Sequence, residues 1–196
     1  MNLFNIISSA VSAVAEASAE YKSAKNQVRH SSGNVSPMLL DQRIVTITQP
    51  YPYYDDNTRH RGIDIKGKLG EKTRAITSGK VAYINKGSSA WGDSSQVWVK
   101  CSLTGNTVMY KHCFPEVAVG QRITECDVLG YLDKSGRWAG QHLHFEVHDK
   151  SGDICPVQYL HEVQPRLMFV VSRDAVAKVF KKHNPKAWAI IAGTEL

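Results

Sequence analysis

Apolar and polar positions change rhythm along the chain. Leu3, Ile7, Ala10, Val14, Ala17, Tyr21, Ala24 and Val28 recur at alternating steps of three and four, which predicts a helix over residues 3–28 with a single apolar stripe. Ala10, Ala17 and Ala24 would let a second helix approach closely. The stripe therefore serves either a partner helix or self-association, or it packs on the chain's own domain. Ser31-Ser32-Gly33-Asn34 reads as a linker. From about residue 37 to 163 the period falls to two, with short β-branched and aromatic runs at residues 43–48, 80–84 and 96–101. Thr104-Gly105-Asn106 marks a hairpin, and the run from His142 to His148 is the cleanest alternation in the chain. Beyond Pro165, residues 167–171 read as a last strand and residues 172–182 as a capped helix. That helix would carry Ala175, Val176, Val179 and Phe180 on one side and Lys178, Lys181 and Lys182 on the other. Residues 187–192 are apolar and suggest no particular element.

The expected fold is mainly β: an antiparallel sheet domain over residues 35–163, an N-terminal helix and linker over 1–34, and a basic amphipathic C-terminal appendage over 164–196. A length of 196 residues suits one domain with such appendages. With 42% hydrophobic and 21% charged residues, collagen-like and disordered classes are excluded. No apolar run reaches the length of a membrane-spanning helix. Residues 1–19 contain Ala-x-Ala steps, but no Lys or Arg precedes Lys22, and Asn5, Ser8, Ser9 and Ser12 interrupt the apolar stretch, so a secretory signal is not expected.

The net charge of +6 favours anionic partners. It is regional: residues 59–80 hold seven Lys or Arg against two acids, and residues 166–186 hold six against one. No nucleic-acid motif and no regular aromatic interleaving accompany it, so nucleic acid is not the expected partner. Cys101, Cys113, Cys126 and Cys155 form no C-x-x-C pair, and free thiols are expected.

The chemistry concentrates in five of the eight histidines. Along a strand, His142, His144, Glu146 and His148 would share one face while Leu143, Phe145 and Val147 share the other. Neighbouring imidazoles are costly to bury without partners, so such a face points to a metal or a wet cleft. His60 and Asp64, four apart, fall on one side of a strand or of a helix. An imidazole and a carboxylate suit zinc, which binds nitrogen and oxygen at about 2.0 to 2.2 Å. Tyr110 and His112 form another polar pair two apart, which would turn Cys113 the opposite way. His30, His161 and His183 read as incidental.

These segments resemble the lysostaphin-type zinc metallopeptidases, which cut peptide bonds in bacterial peptidoglycan. His60-Arg61-Gly62-Ile63-Asp64 resembles the family's His-x-Gly-x-Asp, Gly79-Lys80-Val81 its Gly-x-Val strand, Tyr110-Lys111-His112 its Tyr-x-His, and His142-Leu143-His144 its His-x-His. The likeness covers residues 40–160 and leaves both ends unexplained. It implies a small antiparallel sheet carrying a Zn²⁺ ion on His60, Asp64 and His144, with His112 and His142 as catalytic imidazoles. Which of those two is the general base stays open. Glu146 would orient a histidine or form a plain ion pair. Cys113, Cys126 and Cys155 depart from the family's usual residues, but no ligand or catalytic position is lost.

The implied activity is zinc-dependent endopeptidase action on peptidoglycan peptides at the bacterial wall or periplasm. Without a recognisable leader, carriage in a phage particle or release at lysis is the expected route. A non-catalytic virion or envelope scaffold of the same fold is the alternative class. A cupin-type barrel also carries His-x-His strands, but the His-x-Gly-x-Asp segment is misplaced for it.

Overall fold

A computed structural model describes residues 44–90, 92–137, 141–165 and 167–193. The expected helix over 3–28, the linker at 31–34 and His30 lie outside them. The described strands are β1 (Ile44–Gln49), β2 (Ile63–Lys66), β3 (Lys72–Arg74), β4 (Gly79–Asn85), β5 (Gln96–Cys101), β6 (Thr107–Lys111), β7 (Cys113–Pro115), β8 (Arg122–Ile123), β9 (Val128–Leu132), β10 (His142–His148), β11 (Asp153–Ile154) and β12 (Met168–Val171). The described α-helices are α1 (Pro156–Val163) before β12, then α2 (Asp174–His183) and α3 (Pro185–Gly193), and a 3-10 turn spans Ser135–Arg137 before β10.

The large sheet runs β12-β1-β2-β10-β6-β5-β4-β8, with β11 paired to β10, and a smaller sheet runs β3-β9-β7. Every pairing is antiparallel except β1 with β12. The expected mainly antiparallel sheet is therefore observed. Its alternation is what the strand sequences prescribe: Leu143, Phe145 and Val147 of β10 are fully buried beside Ile63, Ile65, Val108 and Tyr110. The opposite faces of the same strands are left for polar side chains. The hairpin between β5 and β6 turns at Gly105, whose φ of 69° lies in the left-handed region that glycine adopts without strain.

The C-terminal stretch is tied into this sheet. β12 pairs along β1 from Ile44↔Met168 to Ile47↔Val171, and Phe169, Val176, Phe180, Ala187 and Ile191 join the same core. The apolar tail, to which the sequence lent no element, is α3. The expected start of the preceding helix at Ser172 is corrected: α2 begins at Asp174, with Arg173 at its N-cap and no side-chain cap bond. The reason is that the Ser172 N–H donates to Ile47 O at 2.9 Å, so the β ladder claims Ser172 before a helix can form. Asp174 in the first turn and Lys181, Lys182 and His183 in the last complement the helix dipole.

All four cysteines are free thiols, Cys126 half-buried and the others buried. Among the described residues no helix is long and apolar enough to cross a membrane.

Candidate functional site

The central strand pair builds the site. β2 and β10 run antiparallel with His144 opposite Asp64, so register alone sets an imidazole beside a carboxylate on the sheet's polar face. His60 is not on β2, as a shared strand face would require. It stands before the strand, in a bend closed by Gly62, where a Cβ would lie 2.3 Å from Phe145 O. Only glycine lets the chain press that closely on β10 and carry His60 over the sheet. His60 is then fixed by three contacts. Its backbone N–H donates to Pro52 O, its Nδ1 lies 2.6 Å from Pro50 O, and its ring stacks on Tyr54 with centroids 3.9 Å apart.

Three atoms converge. His60 Nε2 and His144 Nδ1 are 3.1 Å apart, His144 Nδ1 and Asp64 Oδ1 are 2.8 Å apart, and His60 Nε2 and Asp64 Oδ1 are 3.4 Å apart. Ligand atoms around a tetrahedral zinc at about 2.0–2.1 Å stand about 3.3 Å from one another, so the triangle fits such an ion. Second partners decide which nitrogens face inward. Nδ1 of His60 is committed to Pro50 O, and Nε2 of His144 lies 2.8 Å from Glu146 Oε1. The assigned tautomers thus turn Nε2 of His60 and Nδ1 of His144 to the same point. Electrostatics agree. Burial works against charge on His144, yet Asp64 and Glu146 outweigh it and raise its pKa. Burial likewise opposes charge on Asp64, but hydrogen bonds and charge from His144 and His60 hold its carboxyl far below the usual range. The centre attracts positive charge.

His112 and His142 stand beside this triangle, their ring centroids 4.8 Å apart at 71°, with His142 Nε2 3.7 Å from Asp64 Oδ1. Burial, then the neighbouring His142 and His144, lower the His112 pKa to about 4. The expected polar pair of Tyr110 with His112 is corrected. Tyr110 is fully buried, packs edge-on against Phe145 and accepts a hydrogen bond from the Ile76 N–H at its hydroxyl. β6 ends at Lys111, and His112 adopts φ 60°, which breaks the alternation and turns its ring onto the site face after Lys111. Cys113 does point away, fully buried in the core.

Glu146 orients His144 and forms an ion pair at once. It is 2% exposed, with Oε1 2.5 Å from Lys111 Nζ and Oε2 2.7 Å from His148 Nε2. Burial favours its neutral form, but His144 and Lys111 together hold the carboxyl well below the usual range. Lys111, Tyr54 and Arg173 line the cleft of about 660 Å³ and were not singled out from the sequence. Lys111 was legible in principle: once Tyr110 is core, its neighbour on the strand must face the histidines. Of the basic window at 59–80, Arg59 and Arg61 reach the cleft, Arg59 paired with Asp153. His161 and His183 stand outside it.

The model of peptidase family M23 matches residues 58–156, half of the chain. The chain belongs to peptidase family M23. An uncharacterized protein of Mycobacterium tuberculosis is 31% identical over 101 residues, 52% of this chain and 24% of that protein. Glycyl-glycine endopeptidase ALE-1 of Staphylococcus capitis is 26% identical over 98 residues, 50% of this chain and 26% of its own. Lysostaphin of Staphylococcus simulans is 28% identical over 98 residues, 50% of this chain and 20% of its own. The matched region thus spans about a quarter of these relatives. The solution structure of lysostaphin superposes with a TM-score of 0.54 at 22% identity, covering 64% of this chain and 52% of that one. LytU superposes with a TM-score of 0.53 at 23% identity, covering 60% and 86%. These two likenesses establish the lysostaphin-like fold of this M23 chain. Its His60, Asp64 and His144 form a cluster able to hold a metal ion.

Proposed function

We propose that this M23 chain is a zinc-dependent endopeptidase that hydrolyses peptide bonds in bacterial peptidoglycan. The observation that carries the reading is the convergence of His60 Nε2, His144 Nδ1 and Asp64 Oδ1 at 2.8–3.4 Å in an open cleft, with the outward nitrogen of each imidazole committed elsewhere. Zinc held by these three residues would supply Lewis acidity, polarising a scissile carbonyl and acidifying a water. The chain's own side chains do the remaining work. Of His112 and His142, one takes the proton from the attacking water and the other steadies the oxyanion or returns a proton to the leaving amine. Glu146 holds His144 in register for metal, and Lys111 neutralises the carboxylate that does so. The name of one staphylococcal relative, glycyl-glycine endopeptidase ALE-1, supports a peptide as substrate.

The test uses purified sacculi, the wild-type chain and His112→Ala. New amino termini should appear with the wild type alone, vanish with chelator and return with zinc. Termini released by both proteins, or by neither, overturn the reading, and wall binding without cleavage identifies a non-catalytic scaffold.

A further inference from the structure

The polar face of the large sheet does not stop at the histidines. Following the register outward from β10, Glu146 lies opposite Met109, Met109 opposite Trp98, and Trp98 opposite Tyr83. One cross-strand row therefore links the candidate metal centre to a pair of aromatics on the same face. At about 4.8 Å per strand, Trp98 stands about 10 Å from β10. Tyr83 reaches this face only because β4 carries a register shift between Val81 and Tyr83. In unbroken alternation Tyr83 would follow Val81 into the core. The bulge instead leaves Tyr83 41% exposed, its ring centroid 4.7 Å from that of Trp98 and the two rings inclined at 50°. Trp98 is held in place by its Nε1–H, which donates to Gln96 Oε1 at 2.7 Å.

The neighbouring row is stranger as a piece of folding. Arg122 of β8 lies opposite Lys80 of β4, and Lys80 lies opposite Lys100 of β5. Three exposed cations thus stand side by side on three adjacent strands, and none has an acidic partner among the described residues. Like charges directly opposite one another destabilise a sheet, so nothing in the packing explains this row. An anionic ligand does.

We infer that Arg122, Lys80 and Lys100, with Tyr83 and Trp98, form a docking strip for an acidic glycan strand. Sugar rings lie on the tilted aromatic pair, and the free carboxylates of muramic acids that bear no peptide face the cations. The inference rests on the peptidoglycan reading in this respect: a peptide borne by a neighbouring muramic acid of the same strand would lie about 10 Å away, along the row that leads from Trp98 to Glu146, beside His144. Nucleic acid also seeks cations and aromatics, but two rings inclined at 50° make a ledge for a chair-shaped sugar rather than a flat platform for successive bases.

Binding is measured with His112→Ala, so that the reading of the cleft and the reading of the strip fail separately. The probe is peptide-free glycan strands, whose muramic acids bear free carboxylates, with neutral chitohexaose and duplex DNA as comparators. The acidic strands should bind best. Lys80→Glu with Lys100→Glu should weaken that binding by about tenfold or more and flatten its salt dependence. Tyr83→Ala should weaken it at low and high salt alike, because stacking is not screened. In the wild-type background these variants should leave hydrolysis of a short sugar-free wall peptide unchanged, since none touches the cleft. Absence of glycan binding, binding indifferent to the substitutions, or equal or tighter binding of duplex DNA overturns the proposal.

Discussion

The Nε2 of His144 lies 2.8 Å from Glu146 Oε1, and this one contact decides which nitrogen of His144 faces Asp64. A carboxylate two residues along the same strand thus braces the ring at the nitrogen turned away from Asp64. Removing it should loosen the centre without removing a ligand. Glu146→Ala should weaken zinc affinity by about 10- to 100-fold, and Glu146→Gln less, because the amide oxygen still accepts from His144. Competition against a chromophoric chelator measures both, and unchanged affinity in the alanine variant would show the brace to be idle.

Asp64 and His112 should separate under equilibrium dialysis. Asp64→Ala deletes a converging atom and should abolish stoichiometric zinc uptake. His112→Ala leaves all three converging atoms in place and should retain it, while losing about 10²- to 10⁴-fold in peptide hydrolysis. Loss of zinc from both variants would place His112 among the ligands instead.

Gly62→Ala should damage fold and site together. The added Cβ would meet Phe145 O at 2.3 Å, a backbone atom that cannot step aside without opening the β2–β10 ladder. We expect a loss of about 1–3 kcal/mol in urea unfolding, along with weaker zinc binding as His60 is displaced from Asp64.

Phe180 is fully buried in the same core as the sheet residues Phe145 and Val45. Phe180→Ala should therefore cost about 3–5 kcal/mol in thermal or denaturant unfolding. A C-terminal stretch that merely trailed from the domain would show almost none of that loss.

Cys126 is half-buried, and its thiol is pushed up to about 11 by burial first and then by Glu125 and Asp127, against the pull of Arg74. The neutral thiol is favoured, so at pH 8 only about one Cys126 in a thousand is thiolate, against roughly a quarter for an ordinary cysteine. Alkylation by iodoacetamide in the native protein should be slow at pH 7 and rise about tenfold per pH unit up to pH 10. A rate that levels off near pH 9 would contradict the shift.

The central strand was the most readable part of the molecule, because an alternating run with apolar residues on one face has one way to lie on a core. His142, Leu143, His144, Phe145 and Val147 take the sides that their spacing assigns. Reading failed where the backbone leaves the strand geometry on which alternation depends. At His112 a positive φ reverses the side, which is why Tyr110 is core and not its partner. At Tyr83, to which the sequence assigned no side, a bulge also interrupts the alternation. At Ser172 a hydrogen bond to Ile47, more than a hundred residues away, overrules a local helix signal.

Periodicity, turn residues and the clustering of histidines by themselves determined that this chain would form an antiparallel sheet with one apolar and one chemical face, because those signals are local and each side chain carries its own preference for water. What lies opposite what was decided only in three dimensions. The pairing of Asp64 with His144, the bracing of His144 by Glu146 and Lys111, and the alignment of Arg122, Lys80 and Lys100 all depend on the register between strands distant in sequence. That register is set by the packing of the whole core, to which every strand contributes and which no single segment encodes.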